Sequence, residues 1–175
     1  TWPPIKINGI LITGMLTPLG KIFTYPKNLS HILLKHGYMI DIDNVSVYRR
    51  SQKDVLHYMY YVEKKRLELI LSLVDNITFD LFILVFTITD RVSHLFWDDS
   101  SDYGGTYVAK AYMFVDKLLR TLLSTIEADY IFIVSDHGFR GFKKYFFIMN
   151  VFYHLGYINR NSQPLHAKLA SYMSV

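Results

Sequence analysis

A chain of 175 residues with 51% hydrophobic and 19% charged side chains has the composition of a globular domain with a substantial core, which excludes an intrinsically disordered chain. It contains no cysteine, so disulfide bonds and thiolate metal ligands are excluded, and any metal must be bound by His, Asp or Glu. The formal net charge of +4 comes from scattered basic residues and gives no strong nucleic-acid signal.

Apolar runs and helical periodicities alternate along the chain. The predicted elements are, in chain order, a strand over 8–13, a helix over 28–36, a strand over 38–43, a helix over 51–75, a strand over 79–86, a helix over 106–126, a strand over 130–134 and a helix that ends near 155. Gly37 is predicted to end the first helix and Ser51 to cap the second. Five residues are predicted on the inner face of the helix over 106–126: Tyr112, Val115, Leu118, Leu119 and Leu122.

This alternation predicts an α/β fold with a mostly parallel sheet and helices on both faces. One domain is expected over 1–160, followed by a polar, irregular tail over 161–175. The basic run from Lys64 to Arg66 is interpreted as a solvated helix face. The longest apolar stretch, 81–88, is far shorter than the roughly 20 residues of a membrane span, and the first residues do not resemble a signal peptide. A cytoplasmic location is therefore expected.

Two Asp/His pairs follow predicted strands. Asp90 and His94 come directly after the strand over 79–86, and if Arg91–Trp97 begins a helical turn, their spacing of four puts both side chains on one face. Asp136 and His137 follow the strand over 130–134. Because ligands bind outside the carboxyl ends of parallel strands, the pairs predict one shared metal site. The alternative is that the aspartates cap helices and the histidines are ordinary structural or surface residues.

The remaining candidates are interpreted as structural. Asp41 and Asp43 share a strand face, as paired catalytic carboxylates can, but an acidic turn at a strand end explains them as well. His31, His36, His57 and His154 lie on predicted helices, and Tyr58, Tyr60 and Tyr61 are expected to divide between core and surface; His166 in the tail could fold back as a further ligand. No phosphate-binding glycine loop and no nucleophile elbow occurs.

The stretches Asp90–Trp97 and Ser135–Phe139, each after a strand, resemble the type I phosphodiesterase and nucleotide pyrophosphatase family of the alkaline phosphatase superfamily. The resemblance extends over about residues 1–160 and includes Trp2-Pro3-Pro4, Asn8-Gly9 and Thr17-Pro18. It implies an alkaline-phosphatase-like core, present in part, and an internal piece of a longer hydrolase.

The resemblance also implies two metal ions, usually zinc, with manganese or iron as alternatives. Asp90 and His94 would bind one ion, and Asp136 and His137 the other. The implied substrates are phosphorylated small molecules or nucleotide-like compounds, attacked by a metal-activated Thr or Ser. The family's nucleophile, a further metal-binding Asp and a later His have no match here, and neither Thr13 nor Thr17 is assigned as nucleophile.

Three interpretations follow. The first is a metal-dependent phosphoric-ester hydrolase that is incomplete and weakly active or inactive as this chain alone. The second is a non-catalytic α/β binding or interaction domain that retains a vestigial metal site. The third is a phosphomutase or sulfatase relative within the same superfamily. The oligomeric state is left open.

Overall fold

A computed structural model describes residues 2–42, 51–75, 77–141 and 144–159. The chain divides into two units, Thr1–Arg140 and Gly141–Val175. The elements of the first unit are β1 (Leu11–Ile12), β2 (Thr24–Tyr25), α1 (Leu29–Lys35), α2 (Gln52–Val74), α3 (Ile88–Phe96), a 3₁₀ turn (Asp102–Gly104) and α4 (Thr106–Thr125). The second unit contains α5 (Ile148–His154). The predicted tail over 161–175, with His166, lies outside the described residues, and the predicted domain boundary stays a prediction.

The N-terminal part is built on a small antiparallel ladder. Leu11 pairs with Tyr25 and Ile12 with Thr24, so the strand predicted over 8–13 is confirmed only at Leu11–Ile12. Helix α1 covers this ladder through a buried cluster that consists of Phe23, Leu29, Leu33 and Tyr38. Residues 38–42 form no strand, and Asp43 lies outside the described residues.

The predicted helices are confirmed, along with their caps. The hydroxyl of Ser51 accepts a hydrogen bond from the backbone N–H of Asp54 and thereby satisfies one of the free donors at the start of α2. Gly37 follows α1 with a φ of +81°, a conformation that glycine adopts without a Cβ penalty. Gly156 likewise follows α5 in the left-handed conformation, with a φ of +77°.

Helices α2, α3 and α4 pack on one another around the main core of the first unit. Its buried members are Val55, Leu56, Met59, Ile88, Val92, Val108 and Ala111. On α4 the predicted inner face is confirmed at Leu118 and Leu122, but Tyr112 is 59% exposed, so its assignment was wrong. The buried positions begin with Val108 and Ala111, and Tyr112 follows Ala111 by one residue, which rotates it away from the stripe.

Two apolar segments predicted as buried strands form no strand in the structure. In 79–86, Phe82, Leu84 and Phe86 pack on α2 and α4, whereas Leu81 and Ile83 are each 76% exposed. Every residue of 130–134 is between 55% and 85% exposed. Within the described residues the β1–β2 ladder forms the entire sheet, so a parallel sheet is not confirmed. Burial on both faces requires a sheet that is covered on each side by helices, and among the described residues no strand pairs with these segments to form one.

Candidate metal centre

Helix α3 brings the first Asp/His pair together. It begins at Ile88, so Asp90 lies in its first turn and His94 one turn later on the same face. The Nε2 atom of His94 is 3.4 Å from Oδ1 of Asp90, and the two side chains are 64% and 38% exposed. The predicted helical spacing therefore produces a direct carboxylate–imidazole contact that solvent can reach.

The second pair approaches the same carboxylate from the segment after 130–134. Nε2 of His137 lies 3.8 Å from Oδ1 of Asp90 and 3.7 Å from Oδ2 of Asp136. Asp136 is 90% exposed, and its Oδ1 accepts a hydrogen bond from the backbone N–H of His137. The structure thus gathers both imidazoles at Asp90, while the Asp136 carboxylate lies beside His137.

The orientation of His137 leaves one ring nitrogen available. Its Nδ1 is 2.8 Å from the carbonyl oxygen of Gly138, which can only accept a hydrogen bond, so Nδ1 carries a proton and Nε2 faces Asp90. This hydrogen bond raises the pKa of His137, and the negative charges of Asp136 and Asp90 raise it further. A ring held in this way resembles a metal-binding histidine whose other nitrogen is fixed by a carbonyl.

Aromatic rings border the site on one side. Phe139 makes an edge contact with the His94 ring, with centroids 5.0 Å apart, and it also contacts Trp97 at 5.0 Å. The indole N–H of Trp97 donates a hydrogen bond to Asp99. Gly104 lies so close to Trp97 that an added Cβ would be 2.5 Å from the ring. These contacts restrict the positions that the His94 ring can adopt.

The sequence interpretation missed a buried carboxylate that contacts the start of α3, the helix that carries Asp90 and His94. Glu63 is 4% exposed, and its Oε1 accepts hydrogen bonds from the backbone N–H groups of Thr87 and Ile88 at the start of α3. The sequence signal was a glutamate on the apolar stripe of α2, four residues after Met59 and four before Leu67.

Arg66 belongs to this buried network, which corrects the interpretation of the basic run as a solvated face. Its guanidinium bonds to Oε2 of Glu63 at 3.2 Å, and its side chain is 11% exposed, whereas Lys64 is exposed. Burial lowers the pKa of Arg66, but Glu63, Tyr38 and Asp41 raise it, and the net shift is upward. The arginine stays charged beside the carboxylate.

Asp41 has a partner of opposite charge rather than a second carboxylate. Its Oδ2 is 2.6 Å from Nη2 of Arg91, and the two side chains are 28% and 17% exposed. Arg91 follows Asp90 directly, so this ion pair ties the first turn of α3 to the segment after α1. The ordinary interpretation of Asp41 as a structural residue agrees with this contact.

The other candidates lie elsewhere. His31, His36, His57 and His154 are exposed. Tyr60 stacks on Phe114 at 4.2 Å and Tyr61 is 58% exposed, so the tyrosine group divides between core and surface as expected. Thr13 and Thr17 share a hydrogen bond of 2.8 Å, and Thr17 also donates to the Gly14 carbonyl. Both hydroxyls therefore hold the loop after β1.

The donor set at Asp90 suits a metal in type and partly in spacing. Four-coordinate zinc with bonds of about 2.0–2.1 Å separates its ligand atoms by roughly 3.3–3.4 Å, and the Asp90–His94 distance is 3.4 Å. Across the described ranges, however, no group of three or more His, Asp or Glu side chains is arranged to hold an ion. The pairs are therefore close to ligand spacing, although the described residues form no three-ligand arrangement.

A family model described as type I phosphodiesterase / nucleotide pyrophosphatase matches residues 24–172. The matched range includes both Asp/His pairs, α2 and Glu63. No curated protein and no solved structure matches the chain significantly. In the part of the chain that the structure describes, none of the helices has the length and apolar character needed to cross a bilayer.

Proposed function

The chain belongs to the type I phosphodiesterase/nucleotide pyrophosphatase family, and from this premise we propose that it is part of a metal-dependent phosphoric-ester hydrolase. The observation that carries the proposal is the convergence of His94 and His137 on one carboxylate oxygen of Asp90. Substrates of this class are phosphorylated small molecules or nucleotide-like compounds. Their negative charge is complementary to a site occupied by divalent cations.

We propose that Asp90, His94, Asp136 and His137 are metal ligands, with zinc as the favoured ion and manganese or iron as alternatives. Asp90 and His94 would hold one ion and Asp136 and His137 a second. When bound, such ions lower the pKa of an attacking oxygen and neutralise phosphoryl charge. The Gly138 carbonyl fixes the His137 tautomer so that Nε2 can bind, and Phe139 restrains the ring of His94.

Metal titration tests the ligand assignment. We expect calorimetric titration with Zn²⁺ or Mn²⁺ to detect binding that Asp90→Asn weakens at least about tenfold, because this carboxylate contacts both imidazoles. The matched control is His31→Ala, which removes an exposed histidine from α1 and should leave the affinity unchanged. Equal affinity in wild type, Asp90→Asn, Asp136→Ala and His137→Ala would refute the metal site.

We further propose that this chain alone hydrolyses phosphodiesters weakly or not at all, because no residue in it is assigned as the nucleophile. The hydroxyls of Thr13 and Thr17 are committed to hydrogen bonds within their own loop. A nitrophenyl phosphodiester with added zinc or manganese is the test substrate. Clear turnover that His94→Ala abolishes would overturn this statement.

The alternative function is a non-catalytic α/β binding or interaction domain with a vestigial metal site. The observation in its favour is that Asp90 contacts both His94 and His137 directly, so the carboxylate has partners without an ion. Under this alternative, Asp90→Asn would lower the stability of the chain but the wild type would show no saturable metal binding. The titration above separates the two functions.

A further inference from the structure

Glu63 is a buried carboxylate whose two oxygens are both bonded. Oε1 accepts from the Thr87 N–H at 2.8 Å, from the Ile88 N–H at 3.1 Å and from the Thr87 hydroxyl at 3.1 Å. Oε2 accepts from Arg66 at 3.2 Å. A carboxylate that is 4% exposed is costly to bury unless it is bonded in this way, so the arrangement specifies where Thr87 and Ile88 lie.

These bonds reach the start of α3 from another helix. The first N–H groups of a helix have no partner within it, and a side chain usually caps them from the residue that precedes the helix. Thr87 holds that position, but its side chain makes no capping bond within α3 and donates to Glu63 instead. Glu63 therefore acts as the cap, and its negative charge lies at the positive end of the helix dipole.

The capped end lies close to the first Asp/His pair. Asp90 is two residues beyond Ile88, and His94 follows one helical turn later. The residue at which α3 begins therefore determines the position of both side chains along the helix axis and the direction in which they project around it. The Asp41–Arg91 ion pair holds the same turn from another side, so Glu63 and Asp41 together determine the direction in which Asp90 projects.

We propose that Glu63 is a positioning residue for Asp90 and His94, acting through the N-terminus of α3. The inference rests on the proposed function, since the pair is taken to bind metal. Glu63 itself is not a ligand, because both of its oxygens are bonded to Thr87, Ile88 and Arg66. Loss of the carboxylate is expected to fray the first turn of α3, which contains Asp90, and so to separate Asp90 from His94 in the following turn.

The first test is metal affinity by calorimetric titration with Mn²⁺. Glu63→Ala is expected to weaken binding by about 10- to 100-fold, the range found when residues that orient metal ligands are removed. Glu63→Gln retains a carbonyl oxygen for the two N–H groups and should weaken binding less. The matched control is Glu68→Gln on the same helix, since Glu68 is 53% exposed and pairs only with Lys64 among the described residues.

The second test is independent of metal. The ¹⁵N imidazole signals of His94 in the metal-free protein report its contact with Asp90, and they should shift in Glu63→Ala and return towards wild type in Glu63→Gln. Circular dichroism establishes that each variant is folded. If Glu63→Ala does not fold, Glu63→Gln and Thr87→Val, which lacks the hydroxyl donor to Glu63, decide the question by the same two measurements.

The experiments distinguish failure of the proposed metal site from failure of the positioning role of Glu63. If wild type and Asp90→Asn bind Mn²⁺ equally, the proposed function fails, and the imidazole signals still decide whether Glu63 positions the pair. If Asp90→Asn weakens metal binding while folded Glu63→Ala keeps wild-type affinity and wild-type His94 signals, the positioning role is overturned. Parallel losses in Glu63→Ala and in the Glu68→Gln control would also overturn it, because the effect would then not depend on the contact with α3.

Discussion

The pKa of the His137 imidazole is raised by three influences and lowered by one, and the net shift is upward. The hydrogen bond to Gly138 raises this pKa, the charges of Asp136 and Asp90 add to the rise, and desolvation lowers it. We expect an NMR titration of the metal-free chain to give a pKa above 6.5, and Asp136→Asn to lower it. An identical titration in the variant would contradict this account of the charges around His137.

The raised pKa of His137 makes both the stability of the fold and the metal affinity depend on pH, in opposite directions. Because the folded-state pKa of His137 is raised, the protonated ring stabilises the fold at pH values below its ordinary pKa, and this contribution is lost as the pH rises through the folded value. Metal binding requires the unprotonated Nε2, so metal affinity should increase over the same rise in pH. Denaturant unfolding and metal titration at several pH values measure the two opposite trends.

Gly104 is predicted to be intolerant of substitution. It has a φ of +72°, and a Cβ there would lie 2.5 Å from carbons of the Trp97 ring. Gly104→Ala should therefore destabilise the chain by about 1–3 kcal/mol and displace Trp97 from Phe139. Gly138→Ala is the control, because nothing lies within 4 Å of its added Cβ and its φ is not positive. Urea denaturation compares them, and equal stabilities would contradict the steric argument.

The sequence predicts residues of the site to the extent that the site is local. Asp90 and His94 meet because they are four apart in a helix, and a periodicity argument captures that contact. Glu63 and Asp41 reach α3 across 24 to 50 residues of chain. No spacing rule specifies such contacts, since they depend on how α2 and the segment after α1 pack against α3.

At the scale of the elements, α2 is the helix on which the main core depends. Met59 is 1% exposed and lies in the cluster shared with α3 and α4. Met59→Ala should cost about 2–5 kcal/mol of unfolding free energy through the cavity it leaves. Tyr61→Ala, on the same helix but 58% exposed, should change it by less than about 1 kcal/mol. Chemical denaturation measures both, and a similar cost at the two positions would contradict the assignment of the core.

The four predicted helices are confirmed and the predicted sheet is not, for a physical reason; α3 was anticipated only as a conditional helical turn over Arg91–Trp97. A helix satisfies its backbone hydrogen bonds within one segment, so periodicity and caps such as Ser51 specify it locally. A parallel strand obtains its hydrogen bonds from neighbours that are distant in sequence. The segments 79–86 and 130–134 have strand-like composition, yet no described strand is paired with them, so the expected parallel sheet is not confirmed.

At the scale of the whole chain, the exposed apolar segments predict self-association. Leu81, Ile83 and Val85 expose between 62% and 76% of their surfaces, and an exposed apolar patch of this kind favours association. Ile83→Lys should reduce association measured by light scattering across a concentration series. Tyr112→Lys, which replaces a residue of α4 that is 59% exposed and lies outside this segment, should not. Equal association of both variants would show that 79–86 is not responsible.

The open space at Gly138 makes the centre accessible to chemical labelling. The chain has no cysteine, so Gly138→Cys would introduce a single thiol beside His137. A fluorescent or spin label attached there would meet no neighbouring atoms within 4 Å of the new Cβ. Quenching or relaxation by a paramagnetic ion such as Mn²⁺ would then report occupancy of the centre directly, without a substrate and without turnover.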